Sequence, residues 1–509
     1  MIETLSGAFG AFFANLFTAE MLFALLLGVV GGMVIGALPG LSATMGIALL
    51  TPLTYSMSPI PALTMLTSIY TSAIMGGSFT AILVHSPGTT SSAATLIDGY
   101  QMTQQGRALK ALGTSITASC IGGIISAVVL LFLAPPLASV SLAFNAAEYF
   151  LLGCFGLSVI ASLSSDSMAK GLVSGCLGLV LSCVGTDALS AFPRYTFGSM
   201  NLLDGFNSTA ALIGLFSVGQ MLCLVEGIRV GSERQEKKEF AKIQGSIFLT
   251  IKEFVLILPT VVRSALIGVA VGILPGAGGS IGSFIAYNEG KRFAKDKEHY
   301  GKGSIEGVAA PEAANNAVTG GAMIPLLTLG IPGSPAAAVL LGGLLIHGLV
   351  PGSSLFTTQA TTTYAIIIGF LFANVIMMPV GFLLARFMGN VVKIPQSVLA
   401  AVIVVLSVVG AYSIRNNMFD VYVMIGFGFL GYIITKTKYL SSALVLGLLL
   451  GYMAESGLRK SLTMSRGDVF GYYLSRPACL VLIVLILASV VWPLVSRQLR
   501  ARKAAKGAS

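Results

Sequence analysis

The chain is 509 residues long, with 30 Lys plus Arg against 20 Asp plus Glu and a formal charge of +10. Charged residues make up 10% and hydrophobic residues 55% of it, and the mean hydropathy is +0.89. Soluble proteins carry about 25% charge, so this composition excludes a soluble enzyme, a nucleic-acid binder and a disordered chain, and leaves a polytopic membrane protein.

Apolar stretches are predicted as membrane helices near 21–38, 60–84, 111–133, 137–163, 170–187, 209–228, 254–274, 308–330, 363–385, 396–413, 418–435, 440–454 and 477–495. The first Lys or Arg is Arg107, so the start lacks the basic region of a cleavable signal, and Met21–Ile35 reads as a retained helix. Basic residues cluster at Arg229–Lys242, Lys291–Lys302 and Arg497–Lys506, which marks these as cytoplasmic segments. The expected organisation is an N-terminal membrane half at 1–228, a basic cytoplasmic linker at 229–249, a C-terminal membrane half at 250–496 and a basic tail at 497–509. The six cysteines lie mostly in apolar runs without metal spacing and read as packing residues.

Pro and Gly combine inside apolar segments at Leu38-Pro39-Gly40, Ser86-Pro87-Gly88, Leu274-Pro275-Gly276 and Ile331-Pro332-Gly333. Proline removes an amide donor and the following glycine permits positive φ, so each site should break a helix at membrane depth. Freed backbone groups are tolerated there only inside protein or beside water. The breaks form two pairs. Residues 36–46 match 272–282 at five identical positions with an offset of 236, and Gly76-Gly77 and Ala93-Ala94 fall on Gly320-Gly321 and Ala337-Ala338 with an offset of 244. Basic residues follow the second break of the first copy but precede that of the second copy, so equivalent loops should lie on opposite membrane faces. The expected fold is therefore all-α, with about 12 transmembrane segments plus broken or re-entrant hairpins, built from two inverted-topology repeats.

Hydroxyls and small residues gather at the breaks. Ser42, Thr44, Ser86, Thr89, Thr90, Ser91 and Ser92 surround the first pair, and Gly278, Gly279, Ser280 and Ser334 the second. Exposed amides at helix N-termini suit a carboxylate, so these residues, with Pro39, Gly40, Pro87, Gly88, Pro275, Gly276, Pro332 and Gly333, are candidate substrate ligands. The alternative is that each hydroxyl bonds back to its own helix. The stretch 311–321 is the most polar part of an apolar region, and Glu312, Asn315, Asn316 and Thr319 share one helical face. Asn315 and Asn316 join the substrate candidates. Glu312, Asn316, Thr319, Ser72 and His85 are candidates for cation coupling, with Glu312 alternatively a helix-start residue and His85 a packing residue. Asp98 reads as a loop residue, and Glu455 and Arg459, four apart, as a structural pair. Signatures of metalloproteases, serine hydrolases and nucleotide sites are absent from the sequence.

Long stretches at 36–55, 76–113, 272–293, 301–352 and 450–477, among them GALPGLSATMGIALLTPLTY and PEAANNAVTGGAMIPLLTLGIPGSPAAA, resemble the large membrane subunit of the tripartite tricarboxylate transporters, the TctA-like proteins. The resemblance implies a bacterial inner-membrane importer of tricarboxylates or related carboxylates. It also implies a small membrane subunit and a periplasmic solute-binding protein as partners, a Na⁺ or H⁺ gradient as driving force, and no cofactor beyond the coupling ion. An elevator-type movement is the expected mechanism, with the Pro-Gly breaks on the mobile part. A passive anion channel is the alternative, and an intramembrane enzyme a more distant one.

Overall fold

The computed structural model describes residues 2–38, 40–142, 144–162, 168–187, 189–229, 246–274, 278–388, 394–489 and 491. These form α1 (Ile2–Leu16), α2 (Ala19–Ala37), α3 (Ala43–Leu50), α4 (Pro59–Val84), α5 (Ala93–Gln104), α6 (Ala108–Ser141), α7 (Ala146–Ser162), α8 (Met168–Ser182) and α9 (208–229). After the segment 230–245, which lies outside the described residues together with the tail at 497–509, come α10 (Ile251–Ile273), α11 (Gly278–Phe293), α12 (Ile305–Leu329), α13 (Pro335–Ile346) and α14 (Ala360–Leu384). The chain ends in α15 (Gln396–Arg415), α16 (Met418–Lys436), α17 (Ser441–Met464), α18 (Val469–Leu474) and α19 (Pro477–Ser489). Among the described residues, nine helices are long and apolar enough to cross a membrane, so this is an all-helical polytopic membrane protein. A short ribbon between α8 and α9 pairs Gly185 with Arg194 and Thr186 with Pro193.

The helices stop where their sequences demand it. α2 ends at Leu38 and α10 at Leu274, each in extended backbone just ahead of a Pro-Gly pair. α4 ends on His85 and α12 on Gly330, both left-handed, at φ 53° and 73°. Left-handed backbone turns the chain out of a helix, and glycine adopts it without strain whereas histidine does not. The element order of long helix, break, short helix, long helix, left-handed turn, short helix, long helix thus occurs twice, at α2–α6 and α10–α14. The two series also make the same close contacts. A Cβ on Gly36 would collide with the Ala73 carbonyl, and one on Gly88 with the Gly36 carbonyl. Correspondingly, Gly272 abuts the Val318 carbonyl and Gly333 the Gly272 carbonyl. These contacts shift the match of α4 to α12 one residue beyond the offset read from the glycine pairs. With that shift, Tyr70 and Thr71 correspond to Asn315 and Asn316.

Some expected boundaries move by several residues: the helix expected at 440–454 runs on to Met464, and a second shift passes a proline pair. The helix predicted to end near 133 runs on through Pro135 and Pro136 to Ser141, and the break falls before Ala146. Ala134 and Ala138, both buried, hold the two sides of the proline pair on one packed face, and such prolines are tolerated in membrane helices.

Packing crosses the two linear halves. α12 packs most extensively on α6 and α10, and α14 on α6. α17 packs on α7 and α8, while α16 packs on α9. This gives one body from α1–α6 with α10–α14 and a second from α7–α9 with α15–α19. They meet largely through the short helices: α3 on α9 and α15, and α13 on α9 and α17. Inside the first body α4 and α12 run in opposite directions. Tyr70 reaches Ser334 beyond the C-terminal end of α12, whereas Ser78 bonds Ser115, which reaches Glu312 near its start.

Candidate functional site

The short helices α3, α5, α11 and α13 all begin beside one cavity of about 530 Å³. Its lining includes Gly40 to Met45, Gly88 to Ser91, Gly278 to Ser280 and Ser334 to Ala336, which are the N-terminal turns of these four helices or the residues leading into them. Tyr70 and Ile74 of α4 and Asn315, Val318 and Thr319 of α12 complete the wall of the first body. The second body supplies Leu215, Phe216 and Gln220 of α9, Thr435 of α16 and Ser441 of α17. No Asp, Glu, Lys, Arg or His is among the described lining residues. Each helix N-terminus carries about half a positive charge, so four supply roughly +2 without a cationic side chain.

The hydroxyls divide their work. Ser42 and Ser334 cap their own helices, accepting from the Met45 and Ala337 amides at 3.3 and 3.1 Å. The Ser334 hydroxyl also bonds the Tyr70 hydroxyl at 2.6 Å, which ties α4 to α13. Thr89 shares hydrogen bonds with Ser91 and Ser92 at 3.1 and 2.9 Å, and Ser280 donates to Thr90 at 3.4 Å across the two break regions. Asn315 is 1% exposed, and neither atom of its side-chain amide has a partner among the described residues. A Cβ on Gly279 would meet its Oδ1, so only glycine fits there. An unpaired buried amide lining a cavity is free to bond water or a polar ligand there.

Of the residues singled out from sequence, the cavity gathers Gly40, Ser42, Thr44, Gly88, Thr89, Thr90, Ser91, Gly278, Gly279, Ser280, Asn315, Thr319 and Ser334. Pro39, Pro275 and Gly276 lie outside the described residues. His85, Ser86, Pro87, Pro332 and Gly333 shape the turns without lining the cavity. The exposed His85 ring rests on Tyr100, with centroids 4.4 Å apart. Ser72 donates to the Gly28 and Ser68 carbonyls and faces α2. Glu312 and Asn316 also lie off the cavity. Glu312 is fully buried and accepts from Thr95, from Ser115 at 3.1 Å and from Ser119 at 2.9 Å. Asn316 lies one turn beyond Glu312 and one turn before Gly320, which abuts Ser126. It therefore faces the stretch of α6 between Ser119 and Ser126.

Tyr70, Phe216 and Gln220 were not apparent as lining residues in the sequence, because they come from helices without a break. Asp98 is the larger revision. It sits inside α5, fully buried, and accepts from the Gly301, Gly303 and Ser304 amides at 2.7–3.0 Å and from the Tyr287 hydroxyl at 2.8 Å. One carboxylate thus closes the N-terminal end of α12 onto α5. Burial pushes the Tyr300 hydroxyl beside this clasp above its ordinary pKa.

A second cavity, of about 380 Å³, opens between the 183–205 loop and α17. Its charges are already paired. Arg194 grips Glu455 at 2.5 and 3.0 Å, and Arg459 holds Asp187 at 2.7 Å and Glu455 at 3.6 Å. The expected Glu455–Arg459 pair is thus part of a four-residue network. The Arg459 guanidinium, with Ser190, holds the Asp187 carboxyl well below the usual carboxylate range.

Residues 22–446 match the family model described as the tripartite tricarboxylate transporter TctA family. An uncharacterized 52.8 kDa protein from the TAR-I ttuC' 3' region of Agrobacterium vitis is 38% identical over 464 residues, covering 91% of each chain. An uncharacterized protein from the TAR-II ttuC' 3' region of the same organism is 36% identical over 228 residues, 45% of this chain and 94% of that protein. No solved structure matches the chain at a significant level. With a family model spanning most of its length and a relative of this identity over nine-tenths of both chains, the chain belongs to the tripartite tricarboxylate transporter TctA family.

Proposed function

We propose that this chain is the translocating subunit of a gradient-driven carboxylate importer in the bacterial inner membrane. It works with a small membrane subunit and a periplasmic binding protein that delivers the substrate. The observation that carries this reading is the cavity in which four helix N-termini meet without any charged side chain among the described lining residues. Backbone amides and hydroxyls of that kind bind carboxylates by oriented dipoles. About +2 of dipolar charge matches a polycarboxylate, and no buried lysine or arginine is needed to hold it. Weak, distributed ligands also let the substrate leave.

The wall of the cavity supports alternating access. One side belongs to the body that carries the breaks, and the other to α9, α16 and α17. Two inverted repeats, each contributing two short helices, would move together as an elevator against this second body. The antiparallel run of α4 and α12 and their matching glycine contacts support that arrangement.

The test is uptake of radiolabelled citrate and other carboxylates into proteoliposomes holding this chain and its small partner. Binding protein is placed outside, and Na⁺ and pH gradients are varied separately. Accumulation that needs both the binding protein and one gradient is the expected result. Flux that only equilibrates, without the binding protein, would instead identify a channel.

A further inference from the structure

We infer that the coupling cation is held at Glu312, in a cage of its own inside the first body and apart from the anion cavity. The inference rests on the transport reading above and assigns the ion to a place within it.

Glu312 is fully buried, yet no basic side chain pairs with it among the described residues. The charged groups on the surrounding helices are engaged elsewhere. Asp98 of α5 takes the amides that lead into α12. Lys110 of α6 pairs with Glu253 of α10 at 2.8 Å. Glu306, on α12 itself, accepts from Thr260 at 3.0 Å. His85, which follows α4, is exposed and stacked on Tyr100, and Arg263 of α10 lies over Phe293. A buried carboxylate without a counter-charge is strongly disfavoured. Hydroxyl donors from Thr95, Ser115 and Ser119 lower that cost without supplying positive charge.

What surrounds the carboxylate is oxygen. Ser78 of α4 reaches the same cluster through Ser115 at 2.7 Å. One turn along α12, on the Glu312 side, Asn316 is fully buried with both amide atoms unpartnered among the described residues. The carboxylate and its hydroxyls, with an amide carbonyl one helical turn along, offer oxygen donors. That set suits one small monovalent cation, either a proton on Glu312 or a Na⁺ shared with its neighbours. Asn315 and Thr319 point to the anion cavity, and Glu312 and Asn316 do not. Cation and substrate therefore occupy neighbouring stripes of one helix.

The separation supplies a coupling rule. With Glu312 bare, the first body carries an uncompensated charge through the low-dielectric part of its path. With the cation in place that charge is cancelled. The body moves when loaded, and the gradient sets the direction.

The test compares wild-type protein with Glu312→Gln in proteoliposomes containing the full transporter. Glutamine keeps the shape and imitates the neutralised state. Downhill flux is expected to persist, and gradient-driven accumulation to fall at least tenfold further than downhill flux does. Sodium-22 co-uptake against proton uptake in the wild type then identifies the ion. Full accumulation by Glu312→Gln, or loss of downhill flux from a correctly inserted protein, overturns the inference. Should that variant fail to insert, Ser119→Ala decides. A three- to tenfold rise in the half-saturating cation concentration at unchanged substrate affinity supports the cage, and an unchanged value overturns it. Wild-type protein without gradient-driven uptake would instead remove the transport reading itself.

Discussion

Asn315 and Asn316 are neighbours in sequence and have different surroundings in the fold. The sequence marks them together, because an amide pair in an apolar helix is conspicuous and because Glu312, Asn315, Asn316 and Thr319 fall on one broad face. Consecutive helical residues are about 100° apart, however, and a helix buried on every side presents that face to two different partners. Asn315, with Thr319, meets the cavity, whereas Glu312 meets α6 and Asn316, one turn along on the Glu312 side, lies off the cavity. This division depends on which helices pack against α12, and no pattern within α12 specifies it. Replacing Asn315→Ala removes the unpartnered amide from the cavity and leaves the alanine buried beside Gly279. Substrate uptake is expected to fall at least tenfold with membrane insertion unchanged. Normal uptake and normal half-saturation in the reconstituted system would take Asn315 out of the binding site.

At the scale of elements, the Pro-Gly breaks were legible because their chemistry is local. Proline lacks the amide donor that would continue a helix, while the glycines serve differently: Gly40 takes positive φ, and Gly88 and Gly333 make room for the Gly36 and Gly272 carbonyls. The same rule fails at Pro135-Pro136, where burial of Ala134 and Ala138 carries α6 through the proline pair. Asp98 was misread for a related reason. Its four donors come from residues about 190 to 206 positions away, so nothing near it in the chain announces them. The clasp predicts a specific loss. Asp98→Asn keeps one acceptor oxygen, so either the Tyr287 hydroxyl, which bonds Oδ2, or the amides of the 301–304 turn, which bond Oδ1, lose their acceptor. A buried unsatisfied donor costs about 1–3 kcal/mol. Thermal unfolding in detergent should show the loss as a lowered midpoint, while Asp296→Asn, on the exposed part of the same loop, serves as the control. Equal midpoints would mean that the Asp98 bonds contribute nothing net.

At the scale of the whole molecule, the sequence order of the halves and the packing of the bodies are different partitions. Two aligned series of breaks run along the sequence. The grouping of both series into one body is set by α6, α12 and the small residues between them, where Gly122, Gly268 and Gly320 let backbones approach closely. The second body touches the first mainly at α3 and α13, so an elevator movement requires these contacts to slide. Gly342 of α13 and Leu212 of α9 mark the place, since a Cβ on Gly342 would sit 3.1 Å from the Leu212 side chain. Gly342→Cys combined with Leu212→Cys, in a chain whose six native cysteines are replaced, should be joined by a short thiol crosslinker. Uptake should then stop and return after reduction, because a rigid link between α13 and α9 holds the cavity at one position. A paired control within the first body, Gly343→Cys with Leu66→Cys, places the same link between elements that move together and should leave uptake intact. Undiminished uptake with the α13–α9 link fully formed would mean that the short helices do not travel past α9, and that access alternates by a smaller motion confined to the cavity wall.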